Sequence, residues 1–264
     1  MKISDSKYYH EDSVFKPENL LREVRRQKSL PDGSIPSICL LDPDGDILDY
    51  LLRTGQARIN TSWACYHTKL YEFRLEEYEL GIIACAVGAS FAVLLAEQLF
   101  VSGCQTLISI TSSGLIGEIP ADINYILIED AIRDEGTSYH YLPPEKVSGI
   151  SSDLLARLKN TLPNQLPYVG TGRSWTTDAP YRETAHAIED MRAANVQVVE
   201  MEAAALYAFA EAKNKDVICF AHITNSMAQN GTDFEKGLEQ GSISSLALVL
   251  CTLKGLATDQ VWIK

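Results

Sequence analysis

The chain has 264 residues, 46% hydrophobic and 22% charged, with a formal net charge of −12. That length suffices for one large domain or two small ones, and the composition is that of a soluble globular protein. The acidic balance makes the surface a poor partner for a nucleic acid polymer or an anionic membrane, though a few local donors could still hold a small anionic substrate.

Met1 to Pro17 is polar and mixed in charge and does not read as a signal peptide. Ser13 to Gln27 predicts an exposed amphipathic helix, followed by a turn at Pro31-Asp32-Gly33. Ser37 to Leu41 predicts a strand that ends at Asp42-Pro43-Asp44-Gly45. Gly81 to Phe100 is apolar enough to raise the question of a membrane span. It contains Gly88, Ser90, Glu97 and Gln98, however, and reads as a strand from Ile82 to Val87, a glycine turn and a helix. Further strands are expected at Thr106 to Thr111, Tyr125 to Asp130, around Val169, at Val196 to Glu200 and at Val217 to Thr224. Helices fit between and after them at Ala89 to Ser102, Asp153 to Thr161, Tyr181 to Ala194, Ala203 to Ala212 and Ser242 to Gly255. Strands spaced by helices imply an α/β fold with three layers, a mainly parallel twisted central sheet and helices on both faces. With no repeat, low-complexity tract or linker, a single domain over residues 1–264 is expected. The six cysteines (Cys39, Cys65, Cys85, Cys104, Cys219 and Cys251) show no C-x-x-C pair and no histidine at metal-ligand spacing, so free thiols in a cytoplasmic protein are expected, with no metal.

The richest stretch is Glu200-Met201-Glu202, between the strand at Val196 to Val199 and the alanine-rich helix that follows. A carboxylate there lies at the edge of a sheet where open α/β folds bind ligands, and the helix N-terminus lowers the cost of keeping Glu202 ionised. The same acids read equally well as helix caps. Two strand ends, Thr111-Ser112-Ser113-Gly114 and Thr224-Asn225-Ser226, carry hydroxyls and amides that suit a polar pocket floor or plain turn chemistry. Together with the Glu-Met-Glu junction they favour a site.

These pieces resemble the nucleoside phosphorylase family that includes uridine phosphorylase, hexameric purine nucleoside phosphorylase and the methylthioadenosine nucleosidases. Ile38 to Asp44 resembles its first strand and Gly-Asp-Pro loop, Val87-Gly88-Ala89-Ser90 its glycine turn, and Leu107 to Gly114 its Gly-Thr/Ser-x-Gly strand end. Arg133 to Tyr141 resembles a uridine phosphorylase stretch, Trp175 to Thr184 the base-pocket segment, and Glu200-Met201-Glu202 the ribose motif.

The resemblance implies roles. Glu202 would accept hydrogen bonds from the ribose hydroxyls, with Met201 beneath the sugar and Glu200 behind. Its fixed charge would stabilise the oxocarbenium-like sugar formed as the N-glycosidic bond breaks. Trp175 would stack on the base, with Ser113 and Gly114 along it and Asp178 nearby. Ser112 would place its hydroxyl on phosphate or the attacking water, with Thr111 and Arg133 also at that site. Asn225 resembles the asparagine of the uridine phosphorylase branch, where purine enzymes carry an aspartate. An amide donates hydrogen bonds but is no general acid at neutral pH, which suits a pyrimidine or a 6-oxopurine.

The chain also departs from the family. Gly45 and Ser109 stand where two phosphate-binding arginines belong. Each lost charge-assisted contact costs ~1.5–3 kcal/mol, so the two together would weaken phosphate binding ~100-fold. Arg133, Arg173 or a neighbouring subunit's Arg53 or Arg58 would be the compensating residues. The expected activity is therefore nucleoside cleavage by phosphorolysis to free base and ribose 1-phosphate. A nucleosidase using water and a non-catalytic nucleoside-binding protein remain as alternatives. No cofactor is implied beyond inorganic phosphate as a possible cosubstrate. A homo-oligomer, dimer or hexamer, is expected by analogy, with His10 or His67 either serving a neighbour's substrate or standing as ordinary surface residues.

Overall fold

Aliphatic runs set the core of the computed structural model, which describes residues 7–227 and 233–257. The strand Ile38–Asp42 (β1) is buried from its second residue on. It lies between two parallel neighbours, Tyr78–Ala84 (β4) and Thr106–Leu115 (β5). Beyond β4 the sheet ends in an antiparallel edge formed by Arg58–Ile59 (β2) and Tyr71–Leu75 (β3). On the other side, β5 pairs in parallel with Asp216–Asn225 (β10) and, near its end, antiparallel with Val196–Glu200 (β9). Tyr125–Asp134 (β6) and Val169–Thr177 (β8) complete a path that joins β10 to β6, β6 to β8 and β8 to β9. The short strand Val147–Gly149 (β7) adds to β6.

Since β5 holds both β9 and β10, the strands β5, β9, β8, β6 and β10 close into a ring. The expected α/β architecture is present, and its sheet is parallel through the middle with antiparallel seams at β5–β9 and β6–β10. Closure bends the ends of β5, β9 and β10 toward one another, which brings distant polar termini to one place.

Two helices are apolar nearly all round, as helices within a core are. In Ala203–Lys213 (α6) the eight residues from Ala203 to Ala210 are buried, and α6 packs on the similarly apolar Ala89–Val101 (α3). At 13 residues α3 falls short of the ~20 needed to span a bilayer. Pro17–Lys28 (α1) packs against α3, and Ser152–Gln165 (α4) packs against Ser242–Ala257 (α7). One helical stretch, Leu238–Ala257, is long and apolar enough to cross a membrane by composition, and half of its most apolar window is buried within this fold.

Several elements escape the sequence pattern. The helix Asp46–Arg53 (α2) has only eight residues, and β2 and β7, of two and three residues, are too short to show an alternation. The strand β3 does alternate, as Tyr71-Glu72-Phe73-Arg74-Leu75, and is an element that the sequence reading leaves out. The helix expected from Tyr181 begins instead at Ala185 and runs to Ala193 (α5). Pro180–Arg182 forms a separate turn, and Thr184 caps α5 by accepting from the Ala187 amide.

Candidate active site

Three strand ends and two loops supply the candidate site. The first loop follows β1. Asp42 is 2% exposed, and its carboxylate accepts from the amides of Gly45 (3.1 Å) and Leu48 (2.9 Å), folding the loop and starting α2. Gly45 has φ +87°, a conformation other residues rarely adopt. Burial raises the Asp42 carboxyl to about 7, with the nearby charges of Asp44 and Asp46 adding to it.

Asp44 leaves the same loop toward the end of β5. Its Oδ2 accepts from the Ser112 amide at 2.9 Å and the Ser112 hydroxyl at 2.5 Å. The Lys236 ammonium stands 3.6 Å from the same oxygen and 2.5 Å from Asp46 Oδ2. A backbone N–H, a hydroxyl and a largely buried cation thus converge on one anionic oxygen.

At the end of β9 the two glutamates divide their tasks. Glu200 Oε2 accepts from the amides of Glu202 and Ala203, both at 2.7 Å. Its Oε1 accepts from the hydroxyls of Ser174 (2.7 Å) and Thr176. Glu200 is therefore the capping acid of α6, and the helix N-terminal amides serve it rather than Glu202. Glu202 is 1% exposed; its Oε1 accepts from the Gly88 amide at 2.6 Å, and its buried Oε2 has no hydrogen-bond partner. Burial, then the neighbouring Glu200, pushes the Glu202 carboxyl up to about 8, against the pull of the Gly88 amide and the Thr111 hydroxyl. The expectation that the helix terminus keeps Glu202 ionised is thus corrected, because desolvation outweighs it. Met201 lies half-buried between the two acids.

The end of β10 forms the third side. Asn225 pairs in register with Gly114. Its Oδ1 accepts from the Met227 amide at 2.9 Å and its Nδ2 donates to the Thr224 hydroxyl at 3.2 Å. A Cβ on Gly114 would come within 2.8 Å of Met227 Sδ, 3.2 Å of Val199 and 3.3 Å of Asn225 Oδ1, so a side chain there would press on this floor. Ser113 turns its hydroxyl away, to the His222 carbonyl at 3.0 Å, leaving only backbone to line the site.

Other residues expected at the site are placed elsewhere. Trp175 is 3% exposed, packs with Ile116, Ile132, Ile188, Val196 and Val199, and donates to Asp134 at 2.9 Å. Its ring is core, without a face open to a base. Arg133 is 4% exposed and donates to the Ser138 hydroxyl and to the carbonyls of Pro143 and Leu142, which leaves it folding the 138–145 segment rather than meeting phosphate. Arg173 is paired with Asp130, Arg53 with Glu239 and Arg58 with Glu72. Asp178 is exposed and accepts from the Gly136 amide at 2.9 Å. His10 and His67 are exposed. Ser109, in an arginine's place, is buried with its hydroxyl unpartnered. Among the described residues no group of three or more His, Cys, Asp or Glu side chains is placed to hold a metal ion. Asp44 and Lys236 are the residues that sequence reasoning missed. Asp44 stood in view in the loop motif, but Lys236 carries no local signal.

Comparison with known proteins places the chain. A family model described as the phosphorylase superfamily matches residues 38–253. A guanosine phosphorylase of Halorubrum lacusprofundi is 28% identical over 138 residues, covering 51% of this chain and 56% of that protein. The match thus spans just over half the length of that curated relative. The uridine phosphorylase of Vibrio fischeri ES114, crystallised with 6-hydroxy-1-naphthoic acid, superposes with a TM-score of 0.65 at 18% identity, covering 84% of this chain and 90% of that one. A second structure of that enzyme gives 0.61 at 16% identity, covering 84% and 87%. At those identities the likeness is one of fold.

Proposed function

The chain belongs to the phosphorylase superfamily, and we propose on that footing that it cleaves the N-glycosidic bond of a nucleoside by phosphorolysis, yielding free base and a pentose 1-phosphate. The observation that carries this reading is Glu202, a buried carboxyl with one oxygen on the Gly88 amide and the other without a partner. A buried acceptor left unmade costs ~1–3 kcal/mol, and a sugar hydroxyl that donates to it recovers that cost. Such donors also favour the ionised form and so draw the carboxyl down from about 8. The anion then lies beside the ring as positive charge develops on the sugar. Glu200 holds the frame by capping α6, and Asn225 supports the departing base by hydrogen bonding, without proton transfer. The reading fits a pyrimidine or a 6-oxopurine, and guanosine, for which the haloarchaeal relative is named, carries a 6-oxopurine. Six free cysteines are in keeping with a cytoplasmic protein, and a homo-oligomer is proposed by analogy with the family.

The test is product analysis on uridine, inosine and guanosine with and without inorganic phosphate. Base and pentose 1-phosphate are expected only with phosphate, and Glu202→Ala is expected to abolish both. A Glu202→Ala protein that cleaves nucleosides as the parent does would remove the ribose role from Glu202.

A further inference from the structure

We infer that Ser112 and Lys236 form the phosphate seat of this protein and that Asp44 is a built-in competitor for it. The inference rests on the phosphorolytic reading above and goes beyond it by naming the rebuilt cation and a residue that sets phosphate demand.

The donors at the Asp44 carboxylate are those an inorganic oxyanion requires. The Ser112 amide and hydroxyl lie 2.9 and 2.5 Å from Oδ2, and the Lys236 ammonium lies 3.6 Å away. Strand-end amides, hydroxyls and a cation are the usual groups that hold phosphate. The arginines suggested as substitutes are committed elsewhere, Arg133 to carbonyls and Arg173 to Asp130. Lys236 has a side chain only 15% exposed and brings a positive charge to the carboxylates of Asp44 and Asp46, which flank Gly45 in the loop.

Asp44 is not needed to fold its own loop. Asp42 holds Gly45 and Leu48, whereas Asp44 spends its contacts across the site and keeps a side chain 30% exposed. The Ser112 hydroxyl has one proton and the amide has one, so a carboxylate and a phosphate cannot both accept them. Their like charges also repel at contact distance. Phosphate therefore enters only as Asp44 rotates out, while Asp46 continues to anchor Lys236. The competition makes phosphate binding weak until it is relieved.

The experiment titrates inorganic phosphate alone into the full chain, without nucleoside, by calorimetry. Asp44→Asn and Asp44→Ser are expected to bind phosphate about tenfold tighter than the parent, and Lys236→Met about tenfold weaker. Circular dichroism confirms that each variant is folded. Folded Asp44 variants with the parent's phosphate affinity would overturn the inference, as would a Lys236→Met protein that binds as the parent does. Base release is measured separately on the same proteins. If the parent makes pentose 1-phosphate while the Asp44 variants bind phosphate no tighter, the seat is wrong and the activity stands. If nucleosides go uncleaved but the Asp44 variants bind phosphate tightly, the seat stands and the activity reading falls. Free pentose formed without phosphate and lost in Asp44→Asn would overturn both, by making Asp44 the base that activates water.

Discussion

Glu202→Gln is expected to stabilise the fold while it removes activity. The buried carboxyl rises from its ordinary 4.5 to about 8, so the folded state holds a proton that the unfolded chain has released. Where the folded state binds more protons, stability falls as pH rises. The contribution is fully present below about 4.5 and is lost by about 8. At about 1.4 kcal/mol per tenfold change in proton affinity the full effect approaches 5 kcal/mol, of which about 3 kcal/mol is lost between pH 5 and pH 7.5. The glutamine side chain of the variant keeps an acceptor for the Gly88 amide and cannot ionise. Urea unfolding of both proteins at pH 5, 6, 7 and 8, at one protein concentration, reads the difference. The parent should lose about 3 kcal/mol more than the variant between pH 5 and pH 7.5, on top of the slope that Asp42, also raised by burial, gives both proteins. Turnover should fall about 10²–10³-fold, because an amide offers no charge to the developing cation. Parallel pH slopes in the two proteins would refute the assignment of a raised, desolvated carboxyl to Glu202.

Three further outcomes follow from the same geometry. Arg133→Met should destabilise the protein by about 1–3 kcal/mol in urea, since it removes the donors to the Ser138 hydroxyl and to the Leu142 and Pro143 carbonyls; a phosphate KM raised tenfold with stability unchanged would return Arg133 to the anion site. Trp175→Phe should cost about 1–2 kcal/mol through the lost bond to Asp134, with nucleoside KM unchanged, and a large rise in KM without loss of stability would argue for stacking on the base. Gly88→Ala, at φ +94°, should cost about 1–3 kcal/mol of strain and lower kcat by shifting the amide that donates to Glu202; wild-type kcat in this variant would separate that amide from catalysis.

Much of the architecture was legible because its signals are local. Ile38 to Asp42 and Val196 to Glu200 are mostly apolar runs that end in acids, and the β-branched residues of the latter give way across Glu200-Met201-Glu202 to alanines. Strand, junction and helix could therefore be read without any distant contact. The helix α2 and the strands β2 and β7 were not legible, because two, three or eight residues carry too little periodicity, whereas β3, Tyr71-Glu72-Phe73-Arg74-Leu75, carries a clear alternation that the reading missed. The ring closed by β5, β9 and β10 left no trace either, since one strand's second neighbour is not written in its own pattern.

For the site, the sequence by itself determined which residue types stand at the strand ends: two glutamates around a methionine, Ser112 after a buried strand, Asn225 in place of an acid, and Ser109 and Gly45 in place of arginines. Only the tertiary structure decided what each of them does. Glu200 takes the helix amides and Glu202 is left desolvated, which spacing alone could not divide. Trp175 and Arg133 spend their polar groups inside the fold. Asp44 meets Ser112 across 68 positions, and Lys236 meets Asp46 across 190. Electrostatic partners and burial depend on distances in space, and those distances exist only once the strands have closed around the site.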